Sequence, residues 1–205
     1  MEKLMIINGS PRAAKSNSKQ YAALFSQHCP IQTEYFNITQ TNHLDLCQAM
    51  NRFSQVIFVF PLYVDSLPVT LLNFLKTLEE NLPKYKPTIS VLINCGFIEP
   101  EQNDIAIKII QLFCRQVGCP FGSVLKIGGG EAILTTPFRF LVVRKIKHFA
   151  ISVSRKQNKT FKVTMPLPKK IFIKASTNYW ENYGKRHGIT KEQMSTMQIE
   201  SPELP

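Results

Sequence analysis

The hydrophobic pattern of the chain switches repeatedly between two periods. Leu4–Ile7 is an unbroken apolar run, as in a strand covered on both faces. Lys15–Cys29 moves to helical spacing, with Tyr21, Leu24, Phe25 and His28 recurring along it. Ile31–Ile38 reads as a second strand and Leu44–Phe53 as a short helix. Val56–Phe60 is an intensely apolar third strand that stops at Pro61. Ser66 is placed to cap a helix over Leu67–Leu82, with Pro68 in the first turn, where a missing N–H costs little. Thr88–Asn94 is a fourth strand. Ile105, Ile109, Leu112, Phe113 and Val117 form a helical stripe that ends near Gly118. Val124–Ile127 belongs to a fifth strand, stopped by Gly128-Gly129-Gly130.

Strands alternating with helices in this way predict an α/β fold, a doubly wound five-stranded parallel sheet. In such sheets ligands bind beyond the carboxyl ends of the strands, near the switch in strand order. The loops that matter therefore begin at Asn8, Pro61, Asn94 and Gly128. The rest of the chain has a different texture. Phe138–Val153 is helical in pattern, with Phe138, Val142, Ile146, Phe149 and Val153 on one face and Arg144, Lys145 and Lys147 largely off it. Ser154–Thr164 is polar and basic, and Pro166-Leu167-Pro168 is a rigid connector. Ile171–Gly184 predicts a last helix carrying Tyr179, Trp180 and Tyr183. The expected organisation is a core over residues 1–135, a basic helical extension over 136–190 packed on the same domain, and a flexible tail over 191–205.

Composition narrows the class. The 205 residues, 44% of them hydrophobic, suffice for one globular domain with a full core. No apolar run approaches the ~20 residues of a membrane-spanning helix. Met1-Glu2-Lys3 does not open a signal peptide, so a cytoplasmic protein is expected. The five cysteines, Cys29, Cys47, Cys95, Cys114 and Cys119, are scattered and form no Cys-x-x-Cys. They read as free thiols in a reducing compartment rather than a zinc site or a redox disulfide.

Charge changes the picture more. Of the net +11, residues 1–100 contribute 8 Lys or Arg against 7 acids, and residues 101–205 contribute 17 against 7. Between Glu131 and Glu181 there are 11 Lys or Arg and no acid. Such a stretch attracts anions: a phosphorylated cofactor, a nucleic acid or an acidic lipid surface. It contains no recognisable nucleic-acid reading module, and Phe138, Phe140 and Phe149 fall largely where a core would use them. No sequence-specific nucleic acid is therefore expected as a partner. An anionic membrane surface under a basic amphipathic helix over Phe138–Val153 is an alternative use of the charge.

Four loops can carry chemistry. The first, "NGSPRAAKSNSKQ" from Asn8, joins a strand to a helix N-terminus, where unpaired N–H groups and the helix dipole favour anions. Ser10, Ser16, Asn17 and Ser18 add neutral donors and Arg12 a charged fork. It is neither a nucleoside-triphosphate loop nor Gly-x-Gly-x-x-Gly, and a hydroxyl-rich helix cap explains it equally well. The second, "PLYVDSLP" over 61–68, offers an apolar wall or simply folds into the core. The third, Asn94-Cys95-Gly96-Phe97, brings backbone close to a ligand or makes a plain turn. The fourth, "GGGEAI" over 128–133, spends three glycines on close approach or on a tight turn.

"NGSPR…SNS", "PLYVDSLP" and "GGGE", in this order and spacing, resemble the flavodoxin-like NAD(P)H-dependent FMN reductase family over about residues 3–135. The resemblance implies a five-stranded flavodoxin-like fold, a homodimer or homotetramer, and FMN as cofactor with NAD(P)H as hydride donor. It implies that Ser10, Arg12, Ser16, Asn17 and Ser18 hold the phosphate of FMN. Pro61, Leu62, Tyr63 and Val64 would flank the isoalloxazine ring, and Asn94, Gly96 and Phe97 would complete the far wall. Where members often carry a Gly- or Asn-rich spacer after the Arg, this chain has Ala13-Ala14-Lys15. The expected reaction is hydride transfer from NAD(P)H through FMN to a small-molecule acceptor such as a flavin, a quinone or a nitro compound. The cofactor does the hard chemistry, so no dedicated acid–base pair is demanded and no catalytic residue is assigned. The basic stretch, with Arg144, Lys145 and Lys147, is expected near the ring-side mouth, attracting NADPH. The alternative is a non-enzymatic FMN-binding or electron-carrier protein with a basic partner-binding surface.

Overall fold

The computed structural model describes residues 3–196. In chain order it contains β1 (Lys3–Asn8), α1 (Asn17–His28), β2 (Gln32–Asn37), α2 (His43–Met50), β3 (Gln55–Pro61), α3 (Val69–Glu80) and β4 (Thr88–Asn94). Then follow α4 (Asp104–Val117), β5 (Phe121–Ile127), α5 (Arg139–Ser154), β6 (Thr160–Val163), α6 (Lys169–Arg186) and α7 (Lys191–Met194). The chain divides into two compact units, Met1–Met165 and Pro166–Pro205.

The first unit is built on one parallel sheet of six strands in the order β2-β1-β3-β4-β5-β6. The four inner strands are almost wholly buried, because helices cover both faces. Alternation sorts their side chains. Met5, Ile7, Val56, Phe58, Phe60, Ile89, Val91 and Ile93 join the core beneath α2, α3 and α4. On the opposite face α1 and α5 meet through Phe25 and Phe149, whose ring centroids lie 5.6 Å apart. The strand order reverses direction between β1 and β3, which places the ligand-binding crevice of such a sheet over their carboxyl ends.

Four expectations need correction. The sheet has six strands, not five: β6 lies in the segment that reads as polar and basic. As an edge strand it buries only Val163 fully and turns Lys162 and Thr160 to solvent, so it lacks the apolar run of a central strand. The extension after residue 135 is consequently not all helical, and α5 with β6 completes the first unit, which ends at Met165. Ser66 does not cap α3; the cap position is Pro68, without a side-chain hydrogen bond. On α4 the buried residues are Ala106, Ile107, Ile110, Phe113, Cys114 and Val117, whereas Ile105 and Leu112 are 57% and 53% exposed. The buried face is rotated by about one residue, ~100°, from the large apolar stripe, and brings the small Ala106 and Cys114 inside. Gly118 ends α4 with φ +70, and Cys119 N–H reaches back to the Cys114 carbonyl, an αL helix stop.

In the second unit, α6 ends at a left-handed Gly188 (φ +75), and α7 folds back along it. Thr190 and Gln193 form a capping box at the start of α7. Thus the opening residues of the expected tail are helical, while 197–205 lie outside the described residues.

Candidate functional site

The carboxyl ends of β1, β3, β4 and β5 and the N-terminus of α1 are tied into one hydrogen-bonded cluster. Asn8, the last residue of β1, is fully buried. Its amide donates to the Tyr35 hydroxyl (2.9 Å) and to Asn37 Oδ1 (3.2 Å), and its Oδ1 accepts from the Ser10 backbone N–H at 3.0 Å. Asn8 therefore shapes the turn out of β1. The loop then makes a 3-10 turn over Ala13–Lys15 that starts after the exposed Arg12. Ser16 is the N-cap of α1: its hydroxyl accepts from Lys19 N–H at 3.1 Å and donates to the Ala13 carbonyl at 3.0 Å. Helix geometry leaves the amides of Asn17 and Ser18 without intrahelical acceptors.

Three side chains of α1 reach other loops. Asn17 donates to the Glu131 carbonyl at 3.2 Å. Ser18, buried, donates to Asn94 Oδ1 at 3.2 Å. Tyr21, also buried, donates to the Gly130 carbonyl at 2.7 Å. Burial, reinforced by the neighbouring Cys95, pushes the Tyr21 phenol well above its ordinary pKa, so it remains a donor at all physiological pH. Backbone bonds complete the cluster: Leu62 N–H to Asn94 carbonyl (2.7 Å), Gly130 N–H to Cys95 carbonyl (2.7 Å) and Gly129 N–H to Phe97 carbonyl. A Cβ on Gly130 would stand 2.8 Å from Asn94 Cβ, so this glycine serves close approach of two loops.

The loop after β3 is a tight turn. Tyr63 and Ser66 exchange both backbone hydrogen bonds, and Val64 and Asp65 between them sit at φ 47 and φ 54. Two positive φ values in succession make a primed turn, normally the province of Asn and Gly. For β-branched Val64 the conformation stores roughly 1–3 kcal/mol of strain. The turn holds Val64 92% exposed, with Tyr63 beside it half-exposed. Phe97 on the β4 loop is 50% exposed, and the Glu131 carboxylate lies against Gly96.

The sheet order is thus that of a flavodoxin-like fold, with its switch point at the carboxyl ends of β1 and β3. Among solved structures, the Trp repressor binding protein from Bacillus subtilis matches with a TM-score of 0.60 at 15% identity, over 71% of this chain and 99% of that one. The fold is flavodoxin-like. The flavodoxin of Streptococcus pneumonia TIGR4 matches at TM-score 0.54 and 14% identity, over 75% of this chain and 99% of that one. An FMN-dependent NADH-azoreductase from Bacillus anthracis str. Ames Ancestor, solved in complex with FMN, matches at 0.53 and 14%, over 74% and 98%. No family model and no curated protein matches the chain.

The flavodoxin-like fold brings every candidate from the sequence to one end of the sheet, in two kinds of position. Arg12, Tyr63, Val64, Gly96 and Phe97 are exposed and face solvent at the loops. Ser18 and Asn94 are buried and bond each other, and the Ser16 hydroxyl is used by the helix cap; these side chains hold the loops together. Asn17 is partly buried and spans to Glu131, while Ser10 is buried against the β1 turn and Pro61 is the last residue of β3. Sequence reasoning missed Asn8, Tyr21 and Glu131. Asn8 carried a signal, as the polar end of an apolar strand; Tyr21 was visible only as one more apolar position of α1. Cys95, directly after β4, is buried with its thiol pushed up to about 11 by burial, and Asn103 donates to its sulfur at 3.3 Å. It is a packing thiol. Among the described residues no cluster of His, Cys, Asp and Glu can hold a metal ion. Arg144 and Lys147 stand on α5 roughly 8 and 12 Å along the helix from its first residue, counted by helical rise, and line a surface groove with Arg139, Phe140 and Val143.

Proposed function

We propose that the chain is an FMN-dependent oxidoreductase that takes hydride from NAD(P)H and delivers it to a flavin, quinone or nitroaromatic-type acceptor. The observation that carries this reading is the pairing, at one switch point, of an acid-free anion loop with an exposed apolar wall. From Asn8 to Gln20 there is no carboxylate, while Arg12 and the free amides at the start of α1 supply charged and neutral donors. That donor set suits a phosphate monoester. Tyr63, Val64 and Phe97 suit the faces of a flat heteroaromatic ring, and the backbone of the same loops suits its polar edge. The similarity to an azoreductase solved with FMN supports the choice.

Bound FMN would supply hydride acceptance and release. The chain's own residues bind and orient. Arg12 and the α1 N-terminus hold the phosphate; Pro61–Val64 and Gly96-Phe97 fix the ring position and keep water from its faces. Ser18, Tyr21 and Asn94 keep the loops in register beneath. The test is an absorbance spectrum of the purified protein, with and without FMN, after gel filtration. Flavin bands should remain with the protein and bleach on adding NADPH or NADH. Arg12→Gln should weaken FMN binding about 10- to 100-fold, the range for one charge-assisted hydrogen bond. A protein that ignores FMN overturns the reading. One that keeps FMN but never bleaches is an FMN-binding or electron-carrier protein instead.

A further inference from the structure

The basic helix α6 carries five Lys or Arg and one Glu along 18 residues, and Gly184 is its one buried residue. Helical spacing separates most of the rest into two faces, with Lys169 and Arg186 at the two ends of the aromatic side and Ile171 at the edge of the polar one. Phe172, Ile173, Ser176, Tyr179, Trp180 and Tyr183 share one side, and Lys170, Lys174, Glu181 and Lys185 the other. The aromatic side is accessible: Ile173, Tyr179, Trp180 and Tyr183 are 45–61% exposed. Glu181, the one acid of α6, is paired with Lys191 of α7 at 2.8 Å. α7 is clamped in place by this pair and by Met194, whose sulfur packs against Gly184.

We propose that α6 is an interfacial helix that lies in the headgroup layer of an anionic membrane, aromatic face inward and lysines toward lipid phosphates. Trp and Tyr rings gathered on one side, with Lys along the other, are the features of a helix that rests in the interface plane. No described helix is long and apolar enough to cross a membrane. Charge complementarity selects the occupant. A second copy packed through the aromatic faces would leave Lys170, Lys174 and Lys185 facing outward with no anionic partner, whereas an anionic surface uses both the rings and the cations. Single-stranded nucleic acid stacks its bases on ring faces, and here each ring gives part of its surface to a neighbour. Tyr183 lies 4.4 Å from His187, Trp180 sits edge-on to Tyr179 at 5.2 Å, and Tyr179 stacks on Tyr183. Burial in lipid asks only for apolar area. This placement belongs to α6 itself, which α5 cannot share: Val142, Ile146, Phe149 and Val153 of α5 are buried in the first unit. The inference is independent of the oxidoreductase reading.

Trp180 is the only tryptophan of the chain and reports directly on the proposed contact. The full chain is titrated with vesicles of phosphatidylcholine, alone or with about 30% phosphatidylserine, an anionic surface that attracts each nearby Lys or Arg. Trp180 emission should shift to the blue and be quenched by brominated acyl chains with anionic vesicles, and the protein should sediment with them. About 0.5 M salt should reverse the binding by screening. Lys170→Gln with Lys174→Gln and Lys185→Gln should lower the apparent partition coefficient at least about tenfold. Tyr179→Ser with Tyr183→Ser should lower it similarly, with circular dichroism confirming that the fold persists. Absence of shift and sedimentation with anionic vesicles overturns the proposal, as does equal binding to neutral ones. A lipid-free shift that grows with protein concentration assigns the face to a second copy. A shift produced only by an oligonucleotide assigns it to nucleic acid. Both of these outcomes overturn the proposal.

Discussion

Replacing Tyr21 by Phe removes one oxygen from a fully buried side chain and little else. That hydroxyl is the buried tie between α1 and the glycine loop, at 2.7 Å from the Gly130 carbonyl, beside the exposed Asn17–Glu131 bond. A neutral hydrogen bond contributes about 1 kcal/mol net, and a buried carbonyl left without its donor costs about 1–3 kcal/mol. The ring itself still packs, so no cavity term adds. The expected loss is about 2 kcal/mol, which for a domain of this size lowers Tm by about 4–8 °C. Urea unfolding should show a lower midpoint with an unchanged slope, since the surface exposed on unfolding is the same. Flavin affinity should fall as well, because the glycine loop then keeps its Gly130–Cys95 and Gly129–Phe97 backbone bonds but only the exposed Asn17–Glu131 bond to α1. A stability change under about 0.5 kcal/mol would refute the idea that the loop hangs on this bond.

Gly130→Ala should destabilise by about 1–3 kcal/mol through overpacking against Asn94, and the urea midpoint should fall accordingly. Lys126 is a nearly buried strand residue paired to Asp104 at 2.8 Å, with side chains 10% and 44% exposed. Asp104→Ala should cost about 1–3 kcal/mol by stranding that charge, whereas Lys126→Met should cost under about 1 kcal/mol; the reverse order in thermal melts would count against it. Burial holds the Cys95 thiol at about 11 and the Cys114 thiol at about 12, so at pH 8 both stay protonated and resist a disulfide reagent until unfolding, while half-buried Cys29 reacts first. The unfolded Cys95 thiol ionises near 9.0 but the folded one only near 11, so the unfolded state binds fewer protons in between. Stability should therefore fall as pH rises through that window, and Cys95→Ser should flatten part of the slope seen in urea midpoints.

Central strands were legible because a parallel sheet covered on both faces must be written as unbroken apolar runs. Leu4–Ile7, Val56–Phe60 and Thr88–Asn94 match β1, β3 and β4 almost residue for residue. From that alternation the crevice loops follow by topology, which is why the candidate residues lie at one end of the sheet. Edge strand β6 was not legible, since half of its surface faces water and its side chains obey solvent rather than core. The orientation of α4 failed for a related reason: large apolar residues on both sides leave the helical period ambiguous, and the sheet chose the side with Ala106 and Cys114.

What the sequence determined by itself is local and periodic: where strands and helices run, where glycine and proline interrupt them, and that cations crowd the second half while acids stay away. Tertiary structure alone decided which polar groups meet. Ser18 reaching Asn94, Tyr21 reaching Gly130 and Asn17 reaching Glu131 join residues 76, 109 and 114 positions apart. No local propensity encodes such pairs. They exist because the sheet sets its carboxyl ends side by side, and a buried donor there must find an acceptor or forfeit its hydration.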